Sequence, residues 1–223
     1  MTLRSSIKNL IYFFVILFYT NKCFCYQPQK GQIALSLNAF IQRTDLNKQT
    51  SELKSPWYGG EGLLVNGALD EKQELEIGLF FTQKNFYSDT NDNILSEKSD
   101  IVRITMGDRY WFENCCSISA SVFSDYTFGE VQTQHIDQGV SADTKTSAHK
   151  NSMYGADLSF QFDLYRFETQ ASHLILDTRY SWFPSQKNNE SINHYSISFN
   201  YKFLVQNSRS QNANNSIRSE ERR

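Results

Sequence analysis

Strict alternation of aromatic and polar residues near the end of the chain constrains the fold most. Between residues 194 and 203 the apolar positions are Tyr195, Ile197, Phe199, Tyr201 and Phe203, and the polar positions between them are His194, Ser196, Ser198, Asn200 and Lys202. A period of two is typical of a β-strand with one apolar and one polar environment. Similar stretches recur along the chain, each about as long as a tilted strand that crosses a bilayer. The pattern therefore favours strands that pass through a membrane.

Eight amphipathic strands can be identified in this way. They are predicted at residues 31–43, 58–69, 74–84, 101–112, 116–128, 153–164, 167–182 and 194–203. An even number of antiparallel strands can close into a barrel without leaving an open edge. The sequence therefore predicts an all-β fold, an eight-stranded antiparallel up-and-down transmembrane β-barrel.

The predicted connections alternate between short and long. Short turns are expected at residues 70–73, 113–115 and 165–166, and long polar loops at residues 44–57, 86–100, 129–152 and 183–191. This alternation is expected when short turns face the periplasm, long loops face outward and both termini lie on the periplasmic side.

Aromatic residues are expected to form two belts at the membrane interfaces, where amphipathic rings are favoured. In the predicted orientation the outer belt contains Trp57, Tyr58, Tyr126, Phe128, Tyr154, Tyr180, Trp182 and Tyr195. The inner belt contains Tyr110, Phe112, Phe162, Phe167, Tyr201 and Phe203.

The polar face of the strands carries most of their charges. These residues are Glu76, Arg103, Arg109, Asp125, Asp157, Asp163, Asp177, Arg179 and Lys202. A lipocalin, the soluble eight-stranded alternative, would have an apolar cavity and a polar exterior. The pattern instead predicts a narrow lumen filled by salt bridges, because buried charges need partners. Phe40, Phe80 and Phe123 are also predicted to point inward and to obstruct an open path.

Asp108 does not fit this scheme, because strict alternation places it on the lipid face beside Met106 and Tyr110. A charge near the bilayer midplane costs about 2 to 4 kcal/mol, less for a carboxylate and less near an interface. Either Gly107 marks a bulge that shifts the register, or Asp108 lies near the periplasmic rim. The bulge is the preferred interpretation.

The N-terminus has the organisation of an export signal. Arg4 and Lys8 precede an apolar run at residues 10–19, and a cut is expected after Cys25. The predicted domains are a signal peptide at residues 1–25, a barrel at residues 26–204 and a disordered polar periplasmic tail at residues 205–223. Cys115 and Cys116 then remain, either as small residues at a turn or as a vicinal disulfide.

Together these features resemble the small outer-membrane β-barrel proteins of Gram-negative bacteria. The resemblance covers about residues 31–204 and concerns architecture, not a subfamily motif. It implies a location in the bacterial outer membrane, contact with lipid and lipopolysaccharide, and assembly by the barrel-assembly machinery through the last strand. Phe203 would be the terminal aromatic residue of that strand, although this chain continues beyond it.

Three functional classes remain. The preferred one is a structural or surface-interaction barrel, a monomer whose outward loops contact an extracellular ligand, cell or phage. The second is a narrow porin-like channel for small solutes. The third is a lipid-modifying hydrolase, since His194 and Ser196 resemble the His-x-Ser element of lipid A deacylases. His173 is expected to be a hydrogen-bonding residue of the lumen.

No catalytic residue, cofactor or metal is predicted. Asp89, Asn91, Asp92 and Asn93 lack the glycine and distal glutamate of a calcium loop. His135 and His149 lie in the longest predicted loop and could bind metal only if that loop folded back on itself. The formal net charge of −2 gives no indication of nucleic acid as a partner.

Overall fold

The computed structural model describes residues 26–45, 55–90, 93–112, 115–137, 145–167, 172–184 and 190–206. The predicted signal peptide and nearly all of the predicted tail lie outside these ranges. The strands are β1 (Ile33–Thr44), β2 (Tyr58–Ala68), β3 (Gln73–Thr90), β4 (Asn93–Trp111), β5 (Cys116–Ile136), β6 (Ser152–Phe167), β7 (Ser172–Trp182), β8 (Glu190–Ser191) and β9 (His194–Gln206).

Eight of these strands form one closed antiparallel barrel. Their order is β2, β1, β9, β7, β6, β5, β4, β3, and pairing between β2 and β3 closes the ring. The first and last long strands are neighbours, with Leu35 opposite Phe203 and Ile41 opposite Ile197. The short strand β8 adds only to the side of β3. The predicted eight-stranded antiparallel barrel is confirmed.

We call the two ends of the barrel proximal and distal. The proximal end carries Tyr26, the connections from β2 to β3, β4 to β5 and β6 to β7, and the end of β9. The distal end carries the other connections.

Alternation along the strands separates an apolar exterior from a charged interior. Exposed side chains include Leu37, Leu75, Met106, Val122, Leu158 and Phe199. The buried set includes Glu74, Arg109, Asp125, Asp157, Asp177 and Lys202. This distribution is the reverse of that in a lipocalin and is the one a bilayer requires of a spanning barrel. The described residues contain no helix long and apolar enough to cross a membrane.

Two predicted belt residues differ from expectation. Tyr58 has its hydroxyl directed to the buried residue Asn85, to which it donates a hydrogen bond of 2.9 Å. Phe162 is buried, whereas Trp57, Tyr126, Tyr154 and Trp182 at the distal rim, and Tyr110, Phe112 and Phe167 at the proximal rim, are exposed. The belts are therefore present but have fewer members than predicted.

The predicted long loop at residues 86–100 is wrong. These residues extend β3 and β4 into a hairpin, with Phe86 opposite Glu97 and Thr90 opposite Asn93. Strand β5 continues beside them as far as Ile136. Strands of 18, 19 and 21 residues are almost twice as long as the roughly ten residues that cross a bilayer. A three-stranded sheet therefore projects from the distal end.

The preferred bulge at Gly107 is also wrong. The register of β4 against β3 and β5 runs without a shift from Thr105 to Tyr110, so Asp108 does face outward. It lies near the proximal end, where its Oδ2 accepts a 2.7 Å hydrogen bond from Nε2 of Gln73. The alternative position near the rim is the correct one.

Phenylalanine rings fill the interior where glycines leave room. A Cβ atom on Gly62 would lie 2.3 Å from the ring of Phe80, and one on Gly155 would lie 2.3 Å from the ring of Phe123. Phe40 packs edge-on against Phe80, with ring centroids 5.9 Å apart. The prediction that these three rings point inward is confirmed, and they occupy space that an open channel would need.

Candidate functional site: the charged interior and the distal lid

The proximal third of the interior is organised by Glu74 on β3. Its carboxylate accepts hydrogen bonds from Nε1 of Trp111 at 2.8 Å, from Nζ of Lys202 at 2.9 Å and from the hydroxyl of Tyr26 at 2.5 Å. Nζ of Lys202 also lies 3.7 Å from the centre of the Tyr26 ring. Tyr26 thus closes the proximal end as a plug whose polar atoms are paired.

Asp163 on β6 fixes the other side of this plug. Its Oδ2 accepts a 2.7 Å hydrogen bond from the backbone N–H of Tyr26 and lies 2.7 Å from Nδ1 of His173. The prediction that His173 is a hydrogen-bonding residue of the lumen is confirmed.

The middle of the interior is centred on Arg109. Nε of Arg109 donates to Glu76 at 2.9 Å, and its other nitrogens donate to the serine hydroxyls of Ser117, Ser119 and Ser159. Small serines leave the space that a guanidinium group needs, and their hydroxyls satisfy its remaining donors. Each of these side chains is buried.

A second arginine pair lies closer to the distal end. Arg103 binds Asp125 through two parallel hydrogen bonds of 2.6 and 2.8 Å, and it reaches Asp157 at 3.4 Å. Arg179 reaches the other oxygen of Asp157 at 3.2 Å. Asp157 therefore links two cations in the interior. The predicted salt-bridge network is present and leaves little continuous space along the axis.

The distal opening is covered by residues 145–149, which we call the lid segment. It contains a short 3-10 turn, Ser147–His149, in which Ser147 and Ala148 are buried. Beneath it lies an apolar cluster that includes Phe86, Phe123, Phe183 and Ile192. The lid segment therefore shields aromatic surface at the point where the lumen would open.

Two buried carboxylates hold the lid segment. Glu97 accepts hydrogen bonds from the N–H of Thr146 at 3.0 Å and from its hydroxyl at 2.6 Å. Glu190 accepts from the N–H of Ser147 at 2.5 Å and from its hydroxyl at 2.6 Å. Because each carboxylate binds a backbone and a side-chain donor of one residue, the segment is fixed in position.

Glu97 belongs to the projecting sheet, outside the apolar band. Burial opposes ionisation of its carboxyl group, but hydrogen bonds from Thr146 and contact with His149 outweigh this effect and hold the pKa of Glu97 below its usual value. Nε2 of His149 lies 3.0 Å from Glu97. The carboxylate form that grips the lid segment is therefore the stable one at neutral pH.

The geometry does not form a catalytic centre at His194 and Ser196. His194 is buried, and its Nδ1 has no hydrogen-bond partner among the described residues. A small cavity beside it is lined by Arg103, Arg179 and Ser196, with no carboxylate among its lining residues. His173 lies opposite Lys202, near the other end of β9. Among the described residues that line this cavity, no carboxylate could orient His194.

The remaining histidines face separate partners. His135 lies 2.9 Å from Asp137, whereas His149 contacts Glu97. Within the described ranges no group of three or more His, Cys, Asp or Glu side chains could hold a metal ion. Asn91 and Asp92 of the calcium-like segment lie outside those ranges.

The adjacent cysteines are not bonded to each other. Cys116 is a free thiol, and Cys115 is disulfide-bonded. Cys115 adopts a φ of 71° at the turn before β5, and its carbonyl accepts a 2.8 Å hydrogen bond from the N–H of Asp163. The alternative of a vicinal disulfide is wrong.

Sequence reasoning missed the carboxylates and plug residue that close the two ends. Glu74 shares the inward face of β3 with Glu76, so strict alternation could have identified it. Glu97 and Glu190 lie inside predicted loops, to which the alternation of a strand does not apply. No sequence signal distinguishes Tyr26, because its partners lie on five different strands that only the folded barrel brings together.

No protein-family model matches the chain, and no curated protein matches its sequence. Solved structures with a similar fold include Ail, the attachment invasion locus protein of Yersinia pestis, in complex with the heparin analogue sucrose octasulfate. Ail is 11% identical to this chain, and the match covers 78% of this chain and 100% of that one, with a TM-score of 0.44. OprG of Pseudomonas aeruginosa is 12% identical, with coverage of 79% and 98% and a TM-score of 0.45. Neisserial surface protein A is 11% identical, with coverage of 77% and 96% and a TM-score of 0.41. These matches identify no family or subfamily for this chain.

Proposed function

We propose that this chain is an integral barrel of the bacterial outer membrane that presents a rigid extracellular sheet to a binding partner. The proximal end would face the periplasm, and the distal end would face outward. The projection of β3, β4 and β5 beyond the apolar band carries the proposal. Strands that only had to cross the bilayer would not need this length.

The surface of the projecting sheet supports a binding role. In β5, residues Glu130, Gln132, Thr133, Gln134 and His135 are exposed and polar. The sheet is tied to the barrel by the pairing of β8 with β3 and by the lid segment held on Glu97 and Glu190. A polar surface on an ordered support can bind a partner without the loss of conformational entropy that ordering a flexible loop would require.

The blocked interior disfavours the alternative of a solute channel. Tyr26 lies at the proximal end, ion pairs of Arg109 and Arg103 lie in the middle, and Phe183 lies with the lid segment at the distal end. Removing one partner from such buried pairs is costly, so thermal motion does not open them readily. The proposed barrel therefore does not conduct solutes.

Cysteine labelling in intact cells tests the orientation and the sheet together. A Thr133→Cys variant, made with Cys116 changed to Ser, should react with a membrane-impermeant maleimide in intact Gram-negative cells. A matched Glu71→Cys variant at the turn between β2 and β3 should react only after the outer membrane is opened. Reaction of both variants in intact cells, or of neither, would contradict the orientation.

Binding to whole surfaces tests the function itself. Cells that display the protein should adhere to host-cell monolayers or surface polymers more than cells with an empty vector, and replacing residues 130–135 by Gly-Ser repeats should remove the gain. Steady conductance in planar bilayers, with adhesion unchanged, would favour the channel instead.

A further inference from the structure

The small cavity beside His194 lies inside the barrel and is lined by two cations. It has a volume of about 30 Å³, and its lining includes Arg103 from β4 and Arg179 from β7. Neutral side chains of β1, β3 and β9 complete the lining, among them His194 and Ser196. No carboxylate is among the lining residues, so the formal charges nearest to any group in this cavity are positive.

Arg179 has hydrogen-bond donors that the protein does not use. Its Nη1 donates to Asp157 at 3.2 Å, whereas its Nη2 lies 3.7 Å from both Glu76 and Asp177, which is too long for a hydrogen bond. Its Nε donates to no described residue, although the side chain is only 9% exposed. Arg103, in contrast, uses all three of its nitrogens. Arg179 can therefore bind a further acceptor in the cavity.

Two neighbours of Arg179 also have unused polar atoms. Ser196 lies opposite Arg179 in the pairing of β7 with β9, and its hydroxyl makes no hydrogen bond with a described residue. His194 is buried, and its Nδ1 has no hydrogen-bond partner among the described residues. Buried polar groups normally have partners. The cavity therefore brings together a cation, a hydroxyl group and a ring nitrogen that a bound group could satisfy.

We propose that this cavity binds one monovalent anion of halide size together with one water molecule. The anion accepts hydrogen bonds from the guanidinium group of Arg179 and from the hydroxyl of Ser196, and the water donates to Nδ1 of His194. A cavity that holds one water has a volume of about 10 to 15 Å³, so this one has room for two such groups and is too small for sulfate or phosphate.

Charge favours an anion over a second water molecule. Hydrogen bonds from a guanidinium group to an anion are stronger than those to a neutral acceptor. Asp125 and Asp157, which pair with the two arginines, do not line the cavity. Because Coulomb attraction weakens with distance, a single negative charge in the cavity is attracted by the arginines more than it is repelled by these carboxylates.

Bromide provides a direct test, because its anomalous scattering distinguishes it from water. The full-length protein, refolded in detergent micelles with sodium bromide and then crystallised, should show an anomalous peak within hydrogen-bond distance of Arg179 and Ser196. Water alone at this position, or bromide only on the exterior, would overturn the proposal. The result does not depend on the proposed binding role of the projecting sheet.

Urea unfolding in detergent micelles gives a second measurement. At a bromide concentration ten times its dissociation constant, the ratio of folded to unfolded protein should rise about elevenfold. Ser196→Val removes the hydroxyl and fills the cavity, so it should lose this gain, whereas Thr178→Val on the exposed face of β7 should keep it. General effects of the salt act on both variants, so their difference isolates the site.

An equal gain in Ser196→Val and Thr178→Val would show that bromide acts elsewhere and would overturn the proposal. Should Ser196→Val fail to fold, the anomalous map of the unmodified protein still decides, because it needs no variant.

Discussion

Nζ of Lys202 on β9 lies 2.9 Å from Oε2 of Glu74 on β3, across the interior of the barrel. Strands β2 and β1 separate these two strands in the sheet, so the pair spans the lumen and is not a contact between neighbours. Both side chains are almost fully buried. Neither charge can reach water, so each depends on the other and on Tyr26 and Trp111.

Loss of the Lys202 cation should strongly destabilise the barrel. A Lys202→Met variant leaves the Glu74 carboxylate buried without its cation, and the expected cost is about 3 to 5 kcal/mol in the free energy of unfolding. Urea unfolding in detergent micelles, followed by tryptophan fluorescence, measures this change. Lys30→Met at an exposed position is the matched control, and equal stability of the two variants would contradict the pairing.

Gly62 should not tolerate a side chain, whereas Gly67 should. A Cβ atom on Gly62 would lie 2.3 Å from the Phe80 ring and 2.8 Å from the carbonyl of Leu79, but one on Gly67 would meet no atom within 4 Å. We expect Gly62→Ala to cost about 1 to 3 kcal/mol, as overpacking does, and Gly67→Ala to change stability by less than about 0.5 kcal/mol. Unfolding midpoints of the two variants in lipid vesicles check this, and a reversed order would exclude the described packing.

The position of Asp108 predicts that the free-energy cost of a carboxylate on the exposed face depends on its depth in the membrane. Asp108→Leu should change the free energy of unfolding by less than about 1 kcal/mol, because this carboxylate lies near an interface and already accepts a bond from Gln73. Met106→Asp, two residues nearer the midplane on the same exposed face, should cost roughly 2 kcal/mol. Equal costs at both sites in vesicle unfolding would show that the assigned depth is wrong.

Acid should release the lid segment. The pKa of Glu97 is lowered in the folded protein. The stabilisation from its hydrogen bonds to the lid segment is therefore fully present above the ordinary glutamate pKa of about 4.3, and it is lost as the pH falls through the lower folded pKa. A dye on a Lys145→Cys variant, with Cys116 changed to Ser, should therefore lose fluorescence anisotropy as the pH falls below about 4.3.

A charge-neutral variant provides the control. Glu97→Gln should show lower anisotropy than the unmodified protein already at pH 7 and a smaller acid transition, since only Glu190 still holds the segment. Trypsin should cleave this variant after Lys150 faster than the unmodified protein. A transition that persists unchanged in Glu97→Gln would assign the titration to another group.

The alternation of polar and apolar residues predicts the barrel because each spanning strand separates lipid from lumen, as β9 does with Phe199 outside and Asn200 inside. The same alternation does not identify the strand segments that extend beyond the barrel. In the projecting part of β3, Asn85, Phe86 and Tyr87 are all buried, because the lid segment and neighbouring strands cover both faces. Polar and apolar residues there no longer alternate, so the sequence pattern predicts a loop at this segment.

Asp108 and Tyr26 show two other features of the structure that the sequence pattern does not predict. The register at Asp108 is regular, and only its depth makes a charge tolerable there, which a period of two does not encode. Tyr26 is held by hydrogen bonds to Glu74 and Asp163 and by ring contact with Trp111, which come from distant parts of the chain. Such long-range partners cannot be inferred from local pattern alone.

The pairing of β1 with β9 has a consequence for how the protein forms. Leu35 and Phe203 are neighbours in the sheet but lie near opposite ends of the chain. Ring closure thus waits until the final strand has been made, and until then both terminal strands keep unpaired backbone edges that could aggregate. Synthesis order makes the earliest strand the one that waits longest for its partner, so protection of its unpaired edge during that interval is a kinetic requirement of this topology.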